Sequence, residues 1–111
     1  MKYVLLYFVD EAVDRLPEDP VNLDKIGAWL SEMRRRGVLR GGDRLRPVAE
    51  ATTVQVRGGE VLIADGPFAE TKEQVAGYDL IECADLDEAM EIASGHPAAE
   101  LGTVEVRPIW T

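Results

Sequence analysis

Histidine and cysteine each occur once in the 111 residues, as His96 and Cys83. A lone cysteine excludes an intramolecular disulfide framework and fits a reducing compartment, so a cytoplasmic location is expected. One histidine with one cysteine cannot build a familiar zinc site, and no P-loop, G-x-S-x-G elbow or dinucleotide fingerprint occurs. No metal and no cofactor are therefore expected. No apolar run approaches the ~20 residues of a membrane span, and residues 1–9 do not have the layout of a signal peptide. Positive charge is also scarce: twelve Lys and Arg stand against twenty-one Asp and Glu, a net charge of −9. A field of that sign repels polyanions, which argues against sequence-independent binding of nucleic acid or of an anionic membrane.

What remains is the composition of a folded chain, 46% hydrophobic and 30% charged. Roughly 65% of the unfolded surface is buried at this length, enough for one core and one domain over 1–111. There is no repeat, linker or low-complexity tract.

Lys2-Tyr3-Val4-Leu5-Leu6-Tyr7-Phe8-Val9 reads as a strand, rich in β-branched and aromatic residues. Both alternating sets are apolar, Tyr3, Leu5, Tyr7 and Val9 on one face and Val4, Leu6 and Phe8 on the other, so the strand needs cover on both sides. A polar loop marked by Pro17 and Pro20 leads to a helix over 22–36. Its N-cap is Asn22, its apolar stripe Ile26, Trp29, Leu30 and Met33, and its stop Gly37. A weak strand within 38–47 precedes Thr52-Thr53-Val54-Gln55-Val56-Arg57. Its partner Glu60-Val61-Leu62-Ile63-Ala64 returns across the two-residue hairpin signal Gly58-Gly59. A loop over 65–73 and a strand over 75–82 follow. Asp85 and Glu88 have capping-box spacing for a second helix that presents Leu86, Ala89, Met90 and Ala93 and stops at Gly95. Val104-Glu105-Val106-Arg107 alternates as the last strand.

Strand, helix, two to four strands, helix, strand is the order of a ferredoxin-like, two-layer α+β sandwich, an antiparallel sheet with two helices on one face. Two helices cover one side only. The doubly apolar first strand calls for cover on the other, and a homodimer through the sheet face is expected.

Chemistry-bearing residues concentrate in Asp65-Gly66-Pro67-Phe68-Ala69-Glu70-Thr71-Lys72-Glu73. Either the turn residues only shape the chain, with Phe68 plugging the core edge, or the turn aims Asp65, Thr71 and Lys72 into a cleft. Tyr78, between Gly77 and Asp79, either packs with a satisfied hydroxyl or donates a phenolic proton to a ligand. His96 either sits exposed at a helix C-terminus or supplies acid–base catalysis. Cys83, among acids, reads as a packed thiol. Arg34, Arg35, Arg36, Arg40, Arg44 and Arg46 hold six of the twelve positive charges. They form either a solvated helix end balanced by acids such as Glu32 and Asp43 or a surface for an acidic ligand or partner.

The Asp-Gly-Pro-Phe and Ala-Glu-Thr-Lys-Glu run resembles the signature of the DGPF family, a branch of the YCII-related superfamily. The resemblance extends over nearly the whole chain, through the Lys2-Tyr3-Val4-Leu5-Leu6 opening, Thr53-Val54-Gln55-Val56-Arg57, Gly77-Tyr78 and the closing Gly102-Thr103-Val104-Glu105-Val106-Arg107-Pro108. It implies a dimeric α+β barrel in which two sheets stack face to face. It also implies kinship in fold with small dimeric enzymes acting on aromatic or lactone compounds, including a dehydrochlorinase branch. The YCII branch pairs a His on the first helix with an Asp before a Pro after the last helix. Here 22–36 holds no histidine, and His96 stands before the matching Pro97. DGPF-type proteins also resemble partners of extracytoplasmic-function sigma factors.

Two functions follow. In one, a small molecule binds between sheet and helices or at the dimer seam, against Asp65, Phe68, Thr71, Lys72 and Tyr78. His96, Asp65 and Tyr78 then supply acid–base, lyase- or hydrolase-like chemistry. In the other, the chain is a non-catalytic interaction or regulatory module serving a sigma-factor system.

Overall fold

The computed structural model describes residues 1–12 and 19–110, so Pro17 lies outside the described residues. Along the chain come β1 (Lys2–Val9), α1 (Pro20–Arg36), β2 (Leu39–Arg44), a 3-10 turn (Val48–Glu50), β3 (Thr52–Arg57) and β4 (Glu60–Asp65). They are followed by β5 (Gln74–Glu82), α2 (Leu86–Ser94), α3 (Pro97–Leu101) and β6 (Thr103–Pro108). β1 pairs antiparallel with β5 and β6, and β2 with β5, giving one sheet in the order β2-β5-β1-β6. With β3 and β4 set aside this is the βαββαβ order of a ferredoxin-like α+β fold. β3 and β4 form a separate two-stranded sheet.

Strand alternation decides where the core lies. Tyr3, Leu5, Tyr7 and Val9 of β1 are buried towards the helices with Ile81 of β5, under Trp29 and Met33 of α1 and Ala89, Ile92 and Ala93 of α2. The alternate set, Val4, Leu6 and Phe8, is half-buried on the opposite face, where Leu80 and Tyr78 pair with Val4 and Leu6. No described helix covers that side.

Three local expectations change. α1 begins at Pro20, with Asp19 accepting a hydrogen bond from the Val21 N–H at 2.9 Å, so Asn22 lies inside the first turn. Proline lacks the N–H that a first turn leaves unpaired anyway, so Pro20 opens the helix where a loop was expected. The capping box of α2 forms as expected, Asp85 accepting from the Glu88 N–H and Glu88 from the Ala84 N–H, each at 2.9 Å. The buried face is nevertheless Ala89, Ile92 and Ala93, while Leu86 and Met90 are exposed. Small alanines let the helix lie close to the sheet, and that contact sets its rotation. The third difference is α3, a five-residue helix directly after Gly95.

Among the described residues no helix is long and apolar enough to cross a membrane.

Candidate functional site

Between α1 and the sheet opens a cleft of about 470 Å³. Ile26, Leu30 and Leu39 supply apolar walls; Tyr7, Asp79 and His96 are polar groups of its lining, with Arg34, Asp43 and Arg44.

Asp79 reaches it through the phase of β5. Gly77, Asp79 and Ile81 form the inward set, so an acid occupies a core position, opposite Leu5 and 8% exposed. A buried carboxylate is costly unless it is hydrogen-bonded. The Tyr7 hydroxyl donates to its Oδ2 at 2.6 Å. Burial pushes the Asp79 carboxyl above the usual range, and the Tyr7 hydrogen bond and the nearby Arg34 charge act against that rise. The Tyr7 phenol is pushed up, first by its own burial and then by Asp79, so it remains a donor.

Room for the carboxylate comes from β2. Gly42 lies opposite Asp79, has φ +141°, and a Cβ there would collide with Asp79 Oδ1 and the Tyr78 carbonyl. Only glycine combines that backbone with that clearance.

His96 is 6% exposed, which corrects the expectation of an exposed helix end. It is the N-cap of α3: its Nδ1 accepts a hydrogen bond from the Ala98 N–H at 3.0 Å, and Pro97 fills the first turn. The ring stacks on Tyr7 with centroids 4.0 Å apart and planes 13° from parallel, and Trp29 meets it edge-on at 4.9 Å. Burial lowers its pKa to about 4. With the Nδ1 lone pair engaged, the neutral ring carries its proton on Nε2, which makes no hydrogen bond among the described residues.

Most of the basic run is ion-paired surface. Arg35 pairs with Glu32, Arg36 with Glu91, Arg40 with Glu82 and Arg46 with Glu50. Arg34 forms no ion pair among the described residues; it lines the cleft and acts on Asp79 through space. Cys83 is a buried thiol pushed up first by burial, in keeping with a packed residue.

The signature loop lies elsewhere. Asp65 ends β4 on the surface, Lys72 is exposed, and the Thr71 hydroxyl donates to the Glu73 carbonyl at 2.6 Å. Phe68 is 72% exposed and plugs no core edge. None of the four lines the cleft, because β3 and β4 leave the main sheet and take the loop with them. Tyr78 is in the cleft lining, but it pairs with Leu6 and Asp43, on the strand face turned away from the helices. Of the residues singled out in the sequence as catalytic, the cluster therefore includes His96 alone.

Tyr7 and Asp79 were missed. The available signal was the phase of Asp79, an acid in step with Gly77 and Ile81 on the inward side of an apolar strand. Among the described residues no group of three or more His, Cys, Asp or Glu is placed to hold a metal. The cleft offers instead a buried proton acceptor, a neutral imidazole N–H donor and a cation at the rim.

The YCII-related domain matches the chain over residues 1–111. An uncharacterised protein of Rhizobium meliloti (strain 1021) is 38% identical over 116 aligned positions, covering 98% of this chain and 92% of the relative.

Proposed function

The chain belongs to the YCII-related domain family, and from that premise we propose that it binds a small aromatic or carbonyl compound in the cleft and moves a proton on it. One observation carries this: a buried carboxyl, Asp79, held by Tyr7 beside a buried imidazole whose partner-free nitrogen is a donor. Asp79 takes a proton from carbon or hydroxyl through Oδ1, while Oδ2 stays bonded to Tyr7. His96 Nε2–H donates to the oxygen on which negative charge develops, a task suited to a neutral imidazole held at a helix start. Arg34 at the rim favours a ligand with an anionic group. This chemistry uses neither the first-helix histidine of the YCII branch nor an aspartate before Pro97.

The Asp65-Gly66-Pro67-Phe68 run supports placement in the DGPF branch. The half-buried apolar set Val4, Leu6, Phe8 and Leu80 supports a second copy packed on the open sheet face. The buried thiol of Cys83 fits a reducing, cytoplasmic setting.

The test is deuterium exchange into a panel of small keto acids, enols and lactones, followed by NMR. Wild-type protein accelerates exchange on at least one compound, and Asp79→Asn reduces that rate at least a hundredfold. If Asp79→Asn and His96→Asn both keep the wild-type rate, acid–base chemistry is overturned. An interaction module, with a sigma-factor system as its partner class, then stands in its place.

A further inference from the structure

The β3–β4 hairpin stands off the body. Among the described elements its extended contacts are between its own two strands. It is tied at its base by the Gly66 N–H to the Ala51 carbonyl at 2.7 Å and by the Thr53 hydroxyl to the Gly66 carbonyl at 2.8 Å. The radius of gyration, 15.6 Å, exceeds the ~13 Å of a compact chain of this length.

Its two faces differ. Val54 pairs with Ile63 and Val56 with Val61 on one; Thr53 with Ala64, Gln55 with Leu62 and Arg57 with Glu60 on the other. The four aliphatic side chains of the first face are 60%, 69%, 57% and 59% exposed, in the order just given. A lone two-stranded hairpin is marginal in water, and a contiguous apolar patch of a few hundred Å² marks an interaction site.

We propose that this ladder is an arm that packs against a second copy of the chain. The proposal rests on the homodimer put forward above and extends it. A stable dimer needs about 800 Å² from each partner. The open sheet face offers few large apolar side chains, Val4, Leu6, Phe8, Tyr78 and Leu80, all already half-covered within one chain. The arm supplies the apolar area that this face lacks. Charge leaves this contact open. Two copies each carrying −9 repel, but little of that charge lies on the arm, where Arg57 stands against Glu60 and Asp65, and Asp65 sits at the base of the aliphatic face. Finally, where the loop from the arm rejoins the body, Glu73 Oε1 is buried without a hydrogen-bond partner. Among the described residues nothing donates to that oxygen, and a donor from a second copy satisfies it.

Sedimentation velocity over a concentration series tests this with wild type, the double variant Val56→Lys/Ile63→Lys and, separately, Leu80→Lys on the sheet face. The arm substitutions touch no core residue, so the variant keeps its far-UV circular dichroism. The expected result is a wild-type dimer whose dissociation constant rises at least a hundredfold in the arm variant. Hydrogen exchange at Val54, Val56 and Ile63 is expected to slow as protein concentration rises. A dimer that weakens with Leu80→Lys and not with the arm variant overturns the arm and leaves the sheet-face dimer standing. A wild type that sediments as a monomer throughout overturns both, as does hairpin exchange independent of concentration for the arm alone.

Discussion

Asp79 and Asp65 lie on the two strands joined by the same loop, and their fates are opposite. Asp65 belongs to the most conspicuous run in the sequence and ends on the surface, at the base of an arm that stands apart from the main sheet. Asp79 sits in an unremarked strand and ends in the core, hydrogen-bonded to a tyrosine 72 residues away. Turn-forming residues are conspicuous because glycine, proline and aspartate shape the chain locally. A buried acid is inconspicuous because its meaning depends on phase and register.

The largest test of this contrast compares two glycines. Gly42→Ala places a Cβ against Asp79 Oδ1 and a backbone carbonyl at φ +141° and is expected to cost about 3 kcal/mol or more in urea unfolding. Gly66→Ala in the signature loop also has positive φ, +91°, but opens into free space and should cost about 1 kcal/mol. Equal costs would erase the distinction between cleft and loop.

The next effect is a pH dependence. Unfolded His96 takes up a proton below its ordinary 6.5, whereas the folded ring resists protonation down to about 4. Its contribution is therefore intact above pH 6.5 and is lost as pH falls from 6.5 to about 4, on the order of 3 kcal/mol in all. His96→Asn keeps an N-cap and lacks the titration. The stability difference between wild type and variant should therefore shift across that window, measured by urea midpoints, and a difference flat with pH would place the imidazole in water.

Asp79→Asn sharpens the contrast in the other direction. Burial raises this carboxyl, so its ionisation at neutral pH works against folding, and that penalty fades as pH falls through the folded pKa and is gone below the ordinary carboxylate value. The asparagine variant should gain about 1 kcal/mol at pH 7, read as a higher Tm, while losing proton exchange on substrate. The smallest effect belongs to the loop: Phe68→Ala and Lys72→Ala should each stay within about 0.5 kcal/mol and leave exchange rates unchanged. Loss of exchange in either would return the site to the signature.

Much of the fold was legible because its signals are local. β1 carries its own alternation, α2 its capping box, and the hairpin its Gly58-Gly59 turn, with φ +57° and +80°. α3 was hidden by its length, five residues being too few for a helical period. Without α3, His96 read as the end of one helix when it is the start of the next. The cluster itself was legible only in part, since Tyr7 looked like one more apolar member of β1 and its hydroxyl finds Asp79 only through the β1–β5 register.

The shared volume of Gly42 and Asp79 also bears on how such a protein can change over generations. A replacement at position 42 inserts atoms where a carboxylate oxygen already lies, so a lineage that keeps the acid is confined to glycine on the neighbouring strand. The dependence runs one way. A lineage that loses the acid gives up the proton acceptor of its cleft and is still held to glycine at 42, by the Tyr78 carbonyl, the Asp79 Cα and the positive φ.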